Sequence, residues 1–211
     1  MNDWSGYASF LIGLFSIVNP IGAIPVFVNI TASMTAKDRH RTGFMAAVAL
    51  FAILLVVEFI GTAILAFFGI SISSFRVAGG ILILLTGFSM LNARISRTKN
   101  TEEETQDAVE RDSVAVVPLG IPLLAGPGAI STVIVYASQG ASPAHYLVIT
   151  VVIALVSVGS WLVFRSAPLI GNLLGRTGIN VTMRIMGLIM TAVAVEFITG
   201  GLRQLFPVLA G

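Results

Sequence analysis

The sequence predicts an all-α membrane protein: six transmembrane helices forming two inverted three-helix repeats, with helices 1 and 4 broken. Three observations lead there. The chain is 56% hydrophobic and only 10% charged, with a mean hydropathy of +0.96; a soluble domain would carry about 25% charged residues. Two proline- and glycine-broken stretches interrupt its apolar sequence at matching places. The two halves also echo one another across an odd number of spans.

Each predicted span approaches the roughly 20 residues a bilayer requires. The spans cover about 7–30, 43–68, 75–93, 114–137, 145–167 and 182–203. The start, from Met1 to Tyr7, has no basic n-region, so no cleavable signal peptide is expected. Lys37, Arg39 and Arg41 follow span one, Arg94, Arg97, Lys99 and Arg111 follow span three, and Arg165, Arg176 and Arg184 lie between spans five and six. Only Arg76 and Arg203 fall on the other side. The positive-inside rule then puts both termini outside, in the cell's inner membrane. The pI of 9.4 therefore reports orientation, not nucleic-acid binding. Trp4, Tyr7, Tyr136 and Tyr146 fall near the outer interface, where amphipathic aromatics settle.

The repeat is legible in short matches. Gly69-Ile70 with Arg76-Val77-Ala78-Gly79 opens span three, and Gly178-Ile179 with Arg184-Ile185-Met186-Gly187 opens span six. Pro20-Ile21-Gly22-Ala23-Ile24 in span one echoes Pro127-Gly128-Ala129-Ile130 in span four. Three spans per half force the second copy to enter from the opposite face, as in many secondary transporters. The predicted units are residues 1–93, a polar cytoplasmic linker over 94–113, and residues 114–211.

The broken stretches are the candidate site. They run Asn19-Pro20-Ile21-Gly22-Ala23-Ile24-Pro25 and Pro118 through Ile130, and together hold five of the eight prolines. Proline removes a donor from the carbonyl four residues earlier, here Ser16, Ile21 and Leu123 for Pro20, Pro25 and Pro127. Such groups are costly in hydrocarbon unless protein, water or a ligand satisfies them. Close helix packing also uses glycine and proline, but does not require them clustered at matching places. A broken helix offers N–H groups for a carboxylate and carbonyls for an ammonium group. The expected substrate residues are Asn19, Pro20, Gly22, Ala23 and Pro25 with Gly126, Pro127, Gly128, Ala129, Ser131 and Thr132. That lining suits a small zwitterion with no net charge.

Glu58 and Glu196 lie inside spans two and six, where ionisable groups are expensive and become functional candidates. They are expected either to pair with Arg76 and Arg203 or, chiefly for Glu196, to couple transport to a proton. Arg76 and Arg184 open matching helices, as snorkelling residues or as partners of freed carbonyls. Gly80, Leu84 and Gly87 form a small face expected to pack closely against another helix.

Enzymatic classes find little support. There is no cysteine, the two histidines (His40 and His145) fall in predicted loops on opposite sides, and no nucleophile–base pair or metal-ligand cluster is visible. No phosphate loop is present either. No cofactor and no metal are expected; the expected partners are the lipid bilayer, a small neutral amino acid and a proton or sodium ion.

These motifs resemble those of the MarC family of bacterial and archaeal membrane proteins. Asn19 through Phe27, Pro118 through Ile130 and Arg184 through Gly187 carry the likeness, which extends over essentially the whole chain. The resemblance implies a secondary transporter of small neutral amino acids such as glycine and alanine, with the substrate at the unwound centres of spans one and four. The alternatives are an exporter of another small metabolite or drug on the same fold, and a non-transporting scaffold or regulator.

Overall fold

The computed structural model describes residues 4–92 and 124–210, and among these it is helical with no strand. The helices are α1 (Trp4–Val18), α2 (Ile24–Ile30), α3 (Ala36–Phe67), α4 (Ile72–Leu91), α5 (Pro127–Ala137), α6 (Pro143–Arg165) and α7 (Ala167–Leu205). A short 3₁₀ turn, Pro207–Ala210, follows. Four stretches are long and apolar enough to cross a bilayer: α3, α4, α6 and Thr177–Leu205 of α7. Residues 114–123 of the predicted fourth span, the linker over 94–113, and the motif residues Pro118 to Leu123 lie outside the described residues.

Local sequence sets most helix ends. Thr35, Ser71 and Ser142 each turn an extended backbone into a helix and accept from the N–H three residues on. Pro143 and Pro127 occupy first-turn positions, where a missing N–H costs nothing. Two boundaries differ from the sequence expectation. The helix of span two starts at Ala36 rather than near residue 43, because the Thr35 cap begins it in the polar turn that carries Asp38, Arg39 and Arg41. The expected loop between spans five and six is also helical. Only Ser166 separates α6 from α7, and the bend comes at Gly175, whose φ of 57° suits glycine. Past that bend the membrane-spanning part of α7 runs Thr177–Leu205, so Gly178 lies in its first turn, as expected.

The helices pair in an ordered way. α1 runs antiparallel to α5: Phe10 stacks on Tyr136 at 4.3 Å, and Ile17 lies beside Gly128. α3 runs antiparallel to α6, with Gly43 beside Phe164, Phe44 by Trp161 and Phe59 on Tyr146. α4 and α7 make the most extensive contact, also antiparallel. There Ser73, Gly80 and Gly87 meet Gly201, Ala194 and Gly187 in turn, each series spaced by seven residues. A Cβ on Gly80 would stand 3.0 Å from the Ala194 carbonyl oxygen, and one on Gly87 3.0 Å from that of Gly187. In lipid, where apolar burial does not drive helices together, this close approach supplies the attraction.

α1 is the central element. Phe10 and Leu14 are fully buried, and they join Leu50, Leu54, Val133 and Ile153 in the core. Large apolar side chains such as Phe59, Ile64, Leu85, Leu155 and Leu188 point outward. That outward apolar belt is what a bilayer solvates.

Candidate functional site at two helix breaks

Span one is interrupted. α1 stops at Val18 and α2 starts at Ile24. Asn19 takes φ 45°, the left-handed conformation that asparagine tolerates better than most residues. Its N–H still donates to Phe15, and its Oδ1 accepts from the Gly22 N–H at 3.1 Å, closing a turn around Pro20. Its amide nitrogen also approaches Met90 Sδ at 3.5 Å. Pro20 and Ala23 are buried, while Asn19, Gly22 and Pro25 are half-buried. The carbonyl of Ile21, expected to be freed by Pro25, instead accepts from the Ile24 N–H at 3.1 Å, because the chain tightens into a turn before α2.

The second motif has a different local form. Residues 124–126 are non-helical, and Pro127, Gly128 and Ala129 make the first turn of α5 rather than unwound backbone. Gly126 caps that turn with no side-chain hydrogen bond. The Ala129 and Ile130 N–H groups both turn back to the Gly126 carbonyl. Thr132 donates to the Gly128 carbonyl at 2.7 Å, and buried Ser131 packs on Gly79 of α4. Pro127 itself is exposed.

The antiparallel fit of α1 and α5 sets the residues just before the first motif beside the second. The end of α1 meets the start of α5, with a Cβ on Gly128 falling 3.2 Å from Ile17 and 2.9 Å from Ile83. Ile83 lies eight residues, about 12 Å, from the end of α4. Asn19, beside Met90, sits nearer that end. A cavity of about 20 Å³ lies at the α5 terminus, lined by Ile17, Ile83, Thr86, Met190 and the Gly126–Ala129 turn. It is about the size of one water molecule. Ile83, Thr86, Met90 and Met190 were not legible as neighbours of the motifs, since nothing local marks which apolar face of a helix turns to a distant break.

The intramembrane charges settle differently from one another. No ion pair joins the described residues, so the expected arginine partners of Glu58 and Glu196 are not found there. Glu58 is 1% exposed, and both its oxygens accept from the Thr150 hydroxyl, at 3.2 and 3.1 Å. It belongs to the α3–α6 pair, whereas Arg76 belongs to the α4–α7 pair and lies over the Phe197 ring at 5.5 Å. Such a cation–π contact stabilises by roughly 0.5–1 kcal/mol where exposed. Glu196, Arg184 and Arg203 are exposed on α7. Ala194, Phe197 and Gly201 take that helix's inner face and turn Glu196 outward.

His145, expected in a loop, sits in the first turn of α6 and ties three helices. Its Nε2 lies 2.9 Å from the Tyr136 carbonyl and its Nδ1 2.7 Å from the Tyr7 hydroxyl. A carbonyl only accepts, so Nε2 carries a proton and donates. In the neutral ring Nδ1 then accepts from Tyr7.

Comparison with known proteins places this architecture. The description "MarC family integral membrane protein" matches residues 4–206. The chain belongs to the MarC family. Among its relatives, UPF0056 membrane protein YhcE of Escherichia coli strain K12 is 44% identical over 97% of this chain and 95% of its own length. UPF0056 membrane protein BU267 of Buchnera aphidicola from Acyrthosiphon pisum is also 44% identical, over the same shares. UPF0056 membrane protein YvbG of Bacillus subtilis strain 168 is 38% identical over 94% of each chain. No solved structure matches. This MarC-family chain is thus a multi-pass integral membrane protein.

Proposed function

We propose that this MarC-family protein is a secondary transporter of small neutral amino acids such as glycine and alanine. The observation that carries this reading is the meeting of the end of α1, just before the Asn19–Ala23 turn, with the uncapped start of α5, where Ile17 and the Gly126–Ala129 turn line one small cavity. The α5 start offers the Gly128 N–H to a carboxylate, since those of Ala129 and Ile130 turn back to the Gly126 carbonyl. The end of α1, where Pro20 leaves Ser16 without its helical donor, offers a carbonyl to an ammonium group. The surrounding Gly, Ala and apolar groups leave no side-chain charge to hold a larger ion.

The fold agrees with an inverted repeat of six spans. Like-placed helices of the two halves, α1 with α5, α3 with α6 and α4 with α7, each pair antiparallel. Lys37, Arg39, Arg41 and Arg165 gather at one end of the bundle and Arg76 and Arg203 at the other. That supports an inner-membrane orientation with both termini outside. A cavity of about 20 Å³ is too small for glycine, so α1 and α5 must part to admit a solute, as alternating access requires.

The same small cavity is the one observation favouring a non-transporting scaffold, which needs only a packed centre. Reconstituted protein decides between them. Saturable uptake of labelled glycine or alanine into proteoliposomes is expected. Gly128→Val, which pushes a side chain against Ile17 and Ile83, should weaken it by about tenfold or more, equivalent to about 1.4 kcal/mol. Absence of saturable uptake with a panel of small metabolites would leave the scaffold reading.

A further inference from the structure

We propose that Glu58 is a proton-binding site, loaded and unloaded through Thr150 from the groove at the His145 end of the bundle. In the carrier read above, which this inference presupposes for its coupling role, that proton would be the coupling ion.

The placement is unusual for a structural carboxyl. Glu58 sits nine residues, about 13 Å, from the end of α3, and is 1% exposed. An ionised carboxylate can accept about four hydrogen bonds. Here a single hydroxyl serves both oxygens, and no cationic group among the described residues reaches them. A charge left so poorly solvated in a membrane interior is costly, and taking up a proton removes it.

The groups that face Glu58 do not supply a permanent counter-charge. From α6 they are His145 and Tyr146. Both ring nitrogens of His145 are already engaged, with Tyr7 of α1 and the Tyr136 carbonyl, so the imidazole has no N–H left for Glu58. Tyr146 stacks on Phe59. Arg76 sits in the α4–α7 pair, over the Phe197 ring. On α3 itself, Lys37, Asp38, Arg39, His40 and Arg41 are about 25 Å or more away.

Access is built in. Thr150 is only half-buried, and its other side lines a groove of about 490 Å³ with Phe59, Ala141, Pro143, Tyr146 and Leu147. The hydroxyl therefore stands between the carboxyl and the open groove. With Glu58 ionised, Thr150 donates to it. A hydronium ion in the groove gives a proton to the Thr150 oxygen as Thr150 passes its own hydroxyl proton to the carboxylate; water is left in the groove, and Thr150 now accepts from the Glu58 O–H. Release reverses each step. A proton fits better than a sodium ion. Two carboxylate oxygens and one hydroxyl make a poor cage for a dehydrated cation, and the carbonyls of mid-α3 and mid-α6 are engaged within their helices.

The test uses the full-length protein in lipid. Difference infrared spectra between high and low pH should show the C=O stretch of a protonated carboxyl in the wild type. Glu58→Gln should abolish that band, and Thr150→Val, which keeps the shape but removes the hydroxyl, should shift it. An unchanged band in both variants overturns the proposal. Should Glu58→Gln fail to fold, the Thr150→Val spectrum decides alone, and an unshifted band is fatal. Transport is read separately. Uptake driven by a pH gradient should fall about tenfold or more in Glu58→Gln and persist in Glu196→Gln, whose side chain is exposed. Persistence in Glu58→Gln removes the coupling role. A titrating band in a protein that moves no solute would retain the proton site and refute the carrier.

Discussion

At the scale of single residues, Asn19 carries the first break. Its backbone adopts φ 45° and its side chain closes the turn on the Gly22 N–H. Alanine there would meet the left-handed backbone with no amide to compensate, at roughly 1–2 kcal/mol. Glycine would accept the backbone but lose the hydrogen bond, worth about 0.5–1.5 kcal/mol. Thermal unfolding in detergent should therefore rank the wild type above both Asn19→Gly and Asn19→Ala, and both variants should lose substrate affinity. A wild-type-like Asn19→Ala would show that the turn is held by Pro20 alone. Gly22 is coupled to the same amide, because a Cβ there would collide with the Asn19 side chain. The sequence flagged both residues through their proline neighbour. It gave no means to find Thr150, which a hydrogen bond ties to Glu58 across 92 positions.

At the scale of elements, the α4–α7 pair is the firmest part of the molecule. Gly80, Gly87 and Gly187 bring backbone within contact of backbone, so a side chain at any of them has nowhere to go. Gly87→Leu should destabilise the protein by about 1–3 kcal/mol, as overpacking of a dense contact does. Chemical denaturation in mixed micelles would measure it. Gly69→Ala tests a different cause: it meets open space but carries a φ of 67°, so its cost would be backbone strain alone. The small face of Gly80 and Gly87 was readable in the sequence because glycines seven apart lie on one side of a helix. Its partner was not, since Gly187, Ala194 and Gly201 are equally spaced with or without α4 opposite.

At the scale of the whole molecule, topology is the test of the repeat. Single cysteines introduced at Asn2 and Gly211, in a chain that has none, should react with an impermeant thiol reagent added outside intact cells. Labelling of either end only after permeabilisation would rule out six spans with an inverted repeat. The sequence by itself determined what each segment can be: composition made the chain a membrane protein, proline and glycine fixed where span one breaks, and threonine and serine caps fixed where helices begin. These are local effects of backbone donors, dihedral freedom and solvation, and they act within a few residues. The tertiary structure decided which segments meet. It turned Glu58 inward to Thr150 and Glu196 outward, drew His145 from a supposed loop into a three-helix tie, and set the end of α1 against the start of α5. Each depends on helix rotation and register, and these are fixed by packing between residues about a hundred positions apart.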